Sequence, residues 1–314
     1  MSAYNAIIIV LGLTLFEVIS SVDNAVVNAD VLATMSPRGR RWFLLYGIII
    51  AVFVVRGLLP LVIVYLSNPA LGFMNALTAT FSADPSIRDI IEKQKPILLA
   101  GGGLYLLYLF FYWLFVEPKN CVFKFEKHIH EKLSFWFYAV TSVVLLFVVW
   151  QAMKIGPMVG FGAIVGSTAF FITNGFKHNA ERAERELVGQ THISDLSKIL
   201  YLELLDATFS IDGVLGAFAF TISVPLILLG NGLGAFVVRW FTIRGVEHVK
   251  NYCYLKNGAM YSIGLLGLIM IGEGLGARLP AWLPTGVTFI VVGYFFWLSK
   301  QVLEATKAAK NPAA

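Results

Sequence analysis

Apolar residues run along this chain in blocks of about 20, separated by short polar stretches, almost to the C-terminus. A helix of that length crosses the hydrocarbon core of a bilayer, and no block shows the alternation of an outer-membrane β-strand. The blocks predict nine transmembrane helices, at about 4–32, 42–66, 96–116, 134–153, 157–175, 198–222, 224–243, 258–276 and 284–303. Between the second and third lies a longer segment, 67–95, whose early part from Pro69 to Leu77 is apolar enough to lie on the bilayer or partly enter it. The other connections are short, so residues 1–314 are expected to form one all-α transmembrane domain.

Two blocks are interrupted by acids in the same pattern. Leu15-Phe16-Glu17-Val18-Ile19-Ser20-Ser21-Val22-Asp23-Asn24 superposes on the stretch from Leu204 to Gly213 with a constant offset of 189. Glu17 then matches Asp206, Ser21 matches Ser210 and Asp23 matches Asp212. The helices that follow also match: Phe53-Val54-Val55-Arg56 on Phe236-Val237-Val238-Arg239, and Gly47 on Gly230, at an offset of 183. Of the 24 Lys and Arg residues, 17 fall on one side of the predicted membrane, 5 on the other, and Arg56 and Arg239 within spans. The basic side is cytoplasmic, which puts the N-terminus outside and the C-terminus inside. The first acidic helix therefore runs inward and the second outward. That is an inverted-topology repeat, with halves at 1–116 and 198–303 joined through a cytoplasmic connecting loop at 175–197. In such repeats substrate sites form near the midplane, at the interface of the halves.

Composition agrees. The chain is 58% hydrophobic and 14% charged, against about 45–50% and 25% for soluble domains. The net charge of +5 follows from the loop lysines and arginines and calls for no nucleic acid. Cys121 and Cys253 are too few for a disulfide framework. The first block lacks a basic leader and a cleavage site, so it reads as a retained helix.

A carboxylate at the centre of a spanning helix costs about 2.5–3.5 kcal/mol, so Glu17, Asp23, Asp206 and Asp212 must share protons, pair with arginine, or hold a cation. Glu17, Ser20, Ser21, Asn24 and Asn28 form one polar stripe, as do Glu203, Asp206 and Ser210. Asp23 and Asp212 lie six residues beyond their partner acids, about 240° around an unbroken helix. Breaks near Ser20-Ser21 and Phe209-Ser210 would let each pair serve one site, with Gly213 loosening the second. The donors are all oxygen: four carboxylates, the Asn24 and Asn28 amides, and the Ser21 and Ser210 hydroxyls. Such a set suits Mn²⁺, Ca²⁺ or Mg²⁺ better than softer ions. Arg56 and Arg239, or bound protons acting as a coupling ion, would offset the remaining charge. A structural role as polar glue competes with this reading, and the two antiparallel copies weigh against it. Asp30 and Glu203 sit where either an interfacial or a site role fits. Glu117 and Glu273 read as solvated span ends, His128 and His130 as solvated loop residues, and 180–186 as a short charged helix. Gly101-Gly102-Gly103 and the Gly160, Gly162, Gly166 series read as helix-packing surfaces.

The motifs Glu17-x5-Asp23-Asn24-Ala25 and Asp206-x5-Asp212-Gly213-Val214 resemble the TerC family of integral membrane proteins, within the LysE-type transporter superfamily. The resemblance implies a divalent-cation exporter of the bacterial inner membrane, with Mn²⁺ the expected substrate. Gly213 departs from it, since TerC proteins commonly carry serine there. Export of a small organic cation such as an amino acid, or a non-transporting scaffold acting through its cytoplasmic loops, are the alternatives. No nucleophile–base pair suggests an enzyme, and a homo-oligomer is left open.

Overall fold

The computed structural model describes residues 3–21, 28–29, 31–47, 49–50, 57–58, 65, 85–189, 194–244 and 252–310. The described regular structure is helical throughout. In a bilayer each N–H and C=O must find its partner inside the protein, and a helix satisfies them within one segment. The helices are α1 (Ala3–Ser20), α2 (Pro37–Trp42), α3 (Pro85–Phe115), α4 (Lys124–Leu133), α5 (Phe137–Met153), α6 (Pro157–Gly189), α7 (Asp195–Ala217), α8 (Val224–Arg244), α9 (Leu255–Gly274) and α10 (Leu283–Lys310). A π-helical turn, Phe43–Gly47, follows α2.

Six described stretches are long and apolar enough to cross a membrane: Ala3–Ser20, Lys93–Phe115, Lys124–Met153, Pro157–Lys177, Leu255–Gly274 and Leu283–Thr306. The chain is therefore a multi-pass membrane protein surrounded by lipid, onto which apolar side chains such as Leu146 and Ile290 are exposed. The expected count of nine is not what the described residues give. Val224–Trp240 is shorter, α7 carries too many charged groups to qualify on composition, and most of 42–66 lies outside the described residues.

The centre of the bundle is α3. Of the most apolar 18 residues of its span Lys93–Phe115, 78% are buried, against 17% for those of Lys124–Met153 at the periphery. Glycine lets its neighbours come close. A methyl on Gly101 would lie 2.6 Å from the Gly162 carbonyl of α6, and one on Gly103 would lie 2.8 Å from the Gly267 carbonyl of α9. Small residues at such crossings are how membrane helices associate without a hydrophobic driving force between them. Gly162 and Gly166 thus have the packing role read from the sequence, while Gly160 faces Met153 and Val149 of α5.

α7 packs antiparallel to α1: Gly213 meets Glu17, Gly216 meets Phe16, and Phe220 meets Gly12. α8 lies parallel to α1, with Gly230 on Leu13 and Gly234 on Glu17. Two expectations are corrected. α7 is continuous from Asp195 to Ala217, with no break near Phe209-Ser210: the Ser210 hydroxyl, bonded to the Asp206 carbonyl at 2.5 Å, is satisfied within the helix, and α1 packed against Gly213 and Gly216 holds the helix straight through. The connecting loop at 175–197 is, as far as Gly189, a continuation of α6; its mixed Glu, Arg and Lys residues suit an extended polar helix. α1 runs from Ala3 to Ser20, and the expected break beyond it falls mostly on residues 22–27, outside the described residues.

Candidate functional site

Glu17 sits on the last turn of α1 and is 1% exposed. The Ser21 hydroxyl donates to its Oε1 at 2.9 Å. A methyl on Gly213 would lie 2.7 Å from Glu17 Oε2, and one on Gly234 would lie 2.5 Å from Glu17 Cβ. The carboxyl therefore rests directly on the backbone of α7, beside Asp212, while its stem fits against α8. Glycine at 213 is what makes room for it.

Asp212 is buried and turns toward α3 and α6. Its Oδ1 accepts from the Tyr105 hydroxyl at 2.5 Å, and its Oδ2 pairs with the Lys177 ammonium. Tyr105 and Thr173 hydroxyls are 3.0 Å apart. Asp206 is also buried. With α7 unbroken, the six-residue spacing sends it to a different side of the helix from Asp212.

A third constellation lies where α7, α8 and the turn after α2 meet. Arg239 stands 4.0 Å from Glu203, donates to the Phe43 carbonyl at 3.1 Å, and lies 4.0 Å above the Phe43 ring. A methyl on Gly47 would lie 2.5 Å from Arg239 Nη2 and would also run into Glu203 Oε1. Glu203 thus belongs with Arg239, at a joint between the two proposed halves. Between α1 and α8 the Thr14 hydroxyl donates to the Gly230 carbonyl at 3.2 Å.

Asp23, Asn24, Asp30 and Arg56 lie outside the described residues. Asn28 is 3% exposed, and its Oδ1 has no hydrogen-bond partner among the described residues. Among the described residues no three His, Cys, Asp or Glu side chains form a metal-holding group. Glu117 and Glu273 are not merely solvated: they pair with Lys256 and, at 3.1 Å, with Lys95. His130 Nδ1 lies 3.3 Å from the Phe115 carbonyl.

Three polar residues escaped the sequence reading. Lys177 was counted with the cytoplasmic loop, Tyr105 is one aromatic in a long apolar run, and Asn231 is hidden in a glycine-rich stretch. Asn231 is 0% exposed, and neither side-chain amide atom has a partner among the described residues. A polar amide inside a spanning block is a signal that sequence alone offered.

The family described as "Protein of unknown function (DUF475)" matches residues 22–302. The uncharacterized membrane protein YceF of Bacillus subtilis (strain 168) is 30% identical over 122 residues, 36% of this chain and 46% of that protein. The matched stretch thus spans just under half of that relative's length. No solved structure matches.

Proposed function

Because the chain belongs to the DUF475 family, whose description assigns no chemistry, we propose from the site itself that it is a divalent-cation transporter, an exporter with Mn²⁺ the favoured substrate. The observation that carries this reading is the convergence of the two acidic helices. Glu17 of α1, a buried carboxyl, lies against Gly213 of the antiparallel α7, one residue from Asp212. Oil-buried carboxylates drawn from both halves are expensive to keep and suit a visiting dication.

Pseudo-symmetry supports the inverted repeat. The offsets of 189 and 183 carry the pair Thr14 and Gly230 onto the pair Glu203 and Gly47, and both pairs touch. Antiparallel packing of α1 on α7, and of α3 on α9, is what a two-fold in the membrane plane requires. The resemblance to TerC proteins rests on the same acids. Glu17, Asp212 and Asp23 would be the principal ligands, with Ser21, Asn24, Asn28, Asp206 and Ser210 lining the path and Arg239 and Arg56 balancing charge. Alternating access would carry the ion from the cytoplasm outward.

The test is Mn²⁺ efflux from cells or proteoliposomes carrying Glu17→Gln, Asp23→Asn or Asp212→Asn. Each is expected to lose transport, and retained transport in all three removes the metal-site reading. One observation favours a second substrate: the Lys177 ammonium seated on Asp212 shows that an alkylammonium fits this carboxylate. An organic-cation exporter would be stabilised by lysine or a simple diamine and not by Mn²⁺, whereas Mn²⁺-dependent thermal stabilisation identifies the metal carrier.

A further inference from the structure

Resting on the metal-carrier reading, we propose that Lys177 is a tethered competitor for the transported ion: its ammonium occupies Asp212 when no ion is bound and must withdraw when a divalent cation arrives.

Both oxygens of Asp212 are in use. Oδ1 takes the Tyr105 hydroxyl and Oδ2 takes the Lys177 ammonium. The pair is well shielded, with 12% exposure for each side chain. An ammonium offers three donors and no acceptor, so it cannot join a cation's ligand shell, and at this range it repels one. The two hydroxyls described beside Asp212 suit a cation. Tyr105 and Thr173 present hydroxyl oxygens 3.0 Å apart, and with the carboxylate they form an oxygen set of the kind hard dications take. Removing one side chain, Lys177, takes the positive charge off Asp212 and leaves Oδ2 for a cation.

Placement makes the withdrawal feasible. Lys177 is one helical turn beyond Thr173 on α6, on the same face. Its four-carbon stem is flexible, and its helix continues for three more turns to Gly189. The ammonium can leave Asp212 while Thr173 and Tyr105 stay in place. On the return stroke the same ammonium re-engages the carboxylate and helps expel the ion. The site therefore trades affinity for release, which suits an exporter working against an external concentration of its substrate.

The full-length protein in detergent, titrated with Mn²⁺ by calorimetry and by thermal melting, tests this. Lys177→Met, which keeps length and loses charge, is expected to bind Mn²⁺ about tenfold tighter or more and to gain more thermal stabilisation from a fixed Mn²⁺ concentration than the wild type. Lys177→Arg keeps the charge and should stay within about twofold of the wild type. A purely structural ion pair would lower the melting temperature of Lys177→Met without enlarging its Mn²⁺-induced shift, and that result overturns the proposal. A readout on unaltered protein guards against misfolded variants. Mn²⁺ should raise the rate at which a membrane-permeant acylating reagent labels Lys177, measured by mass spectrometry, and an unchanged or lowered rate overturns the proposal as well. If the wild type binds Mn²⁺ and Asp212→Asn does not, yet Lys177→Met is no tighter, competition is wrong and the metal reading stands. If neither wild type nor Lys177→Met binds Mn²⁺, both fall.

Discussion

Gly213→Ala separates a ligand role for Glu17 from a packing role, because the two respond differently. The new methyl would lie 2.7 Å from Glu17 Oε2. Ordinary contact begins near 3.4 Å, so the carboxyl must retreat by about 0.7 Å, an off-rotamer displacement costing about 0.5–1.5 kcal/mol. Replacing a helical glycine by alanine returns about 1 kcal/mol through backbone entropy. The two terms nearly cancel, and the melting temperature without ion should move by no more than a few degrees. Ion binding has no such compensation. A ligand displaced by this amount should cost about 1.4 kcal/mol or more, a tenfold loss of Mn²⁺ affinity. Gly213→Ser should lose less, since its hydroxyl can donate to the displaced carboxylate. The assay is Mn²⁺-dependent thermal stabilisation of purified full-length protein beside Mn²⁺ efflux. If Gly213→Ala keeps wild-type Mn²⁺ stabilisation, Glu17 is not a ligand where α1 meets α7.

Three other outcomes follow from the geometry. Gly166→Ala drives a methyl into the Gly101 backbone, with its carbonyl carbon 2.6 Å away, and should cost about 1–3 kcal/mol by forcing α3 and α6 apart; Gly293→Ala, which meets nothing within 4 Å, should be neutral or stabilising, and equal melting temperatures for the two would refute the close crossing. Arg239→Gln leaves buried Glu203 without its guanidinium neighbour and should cost about 3 kcal/mol, with Glu203→Gln in the same chain recovering part of the loss in detergent melts. Asp195, at the α7 N-terminus, accepts from the Ser36 hydroxyl and, at 3.2 Å, from the Ser36 backbone N–H, and these bonds hold its carboxyl below the ordinary value of 3.8. A depressed carboxyl stabilises the folded state above its unfolded value and loses that contribution as pH falls through the folded one, so wild type should lose melting temperature below about pH 4 more steeply than Asp195→Asn, and parallel curves would refute the tie.

The sequence by itself determined the class of this protein, the places of most of its helices, and the two acidic motifs with their antiparallel sense. These properties are sums over a local window: twenty apolar residues cross a bilayer whatever they touch, and loop charge sets direction span by span. Glu17, Asp206 and Asp212 stood out for the same reason, as costly groups in an apolar run. Their partners were another matter. Whether Glu17 meets Asp212 or the backbone beside it depends on a glycine on α7 and another on α8. That Asp212 pairs with Lys177 depends on how far α6 continues past its apolar stretch, and that Glu203 pairs with Arg239 depends on Gly47 in a distant turn. Crossing points fixed by small residues scattered over the whole chain set these meetings, so no single window contains them. The continuity of α7 belongs with them, because a helix carrying Ser and Gly breaks or holds according to what packs around it, and only the tertiary structure supplies that.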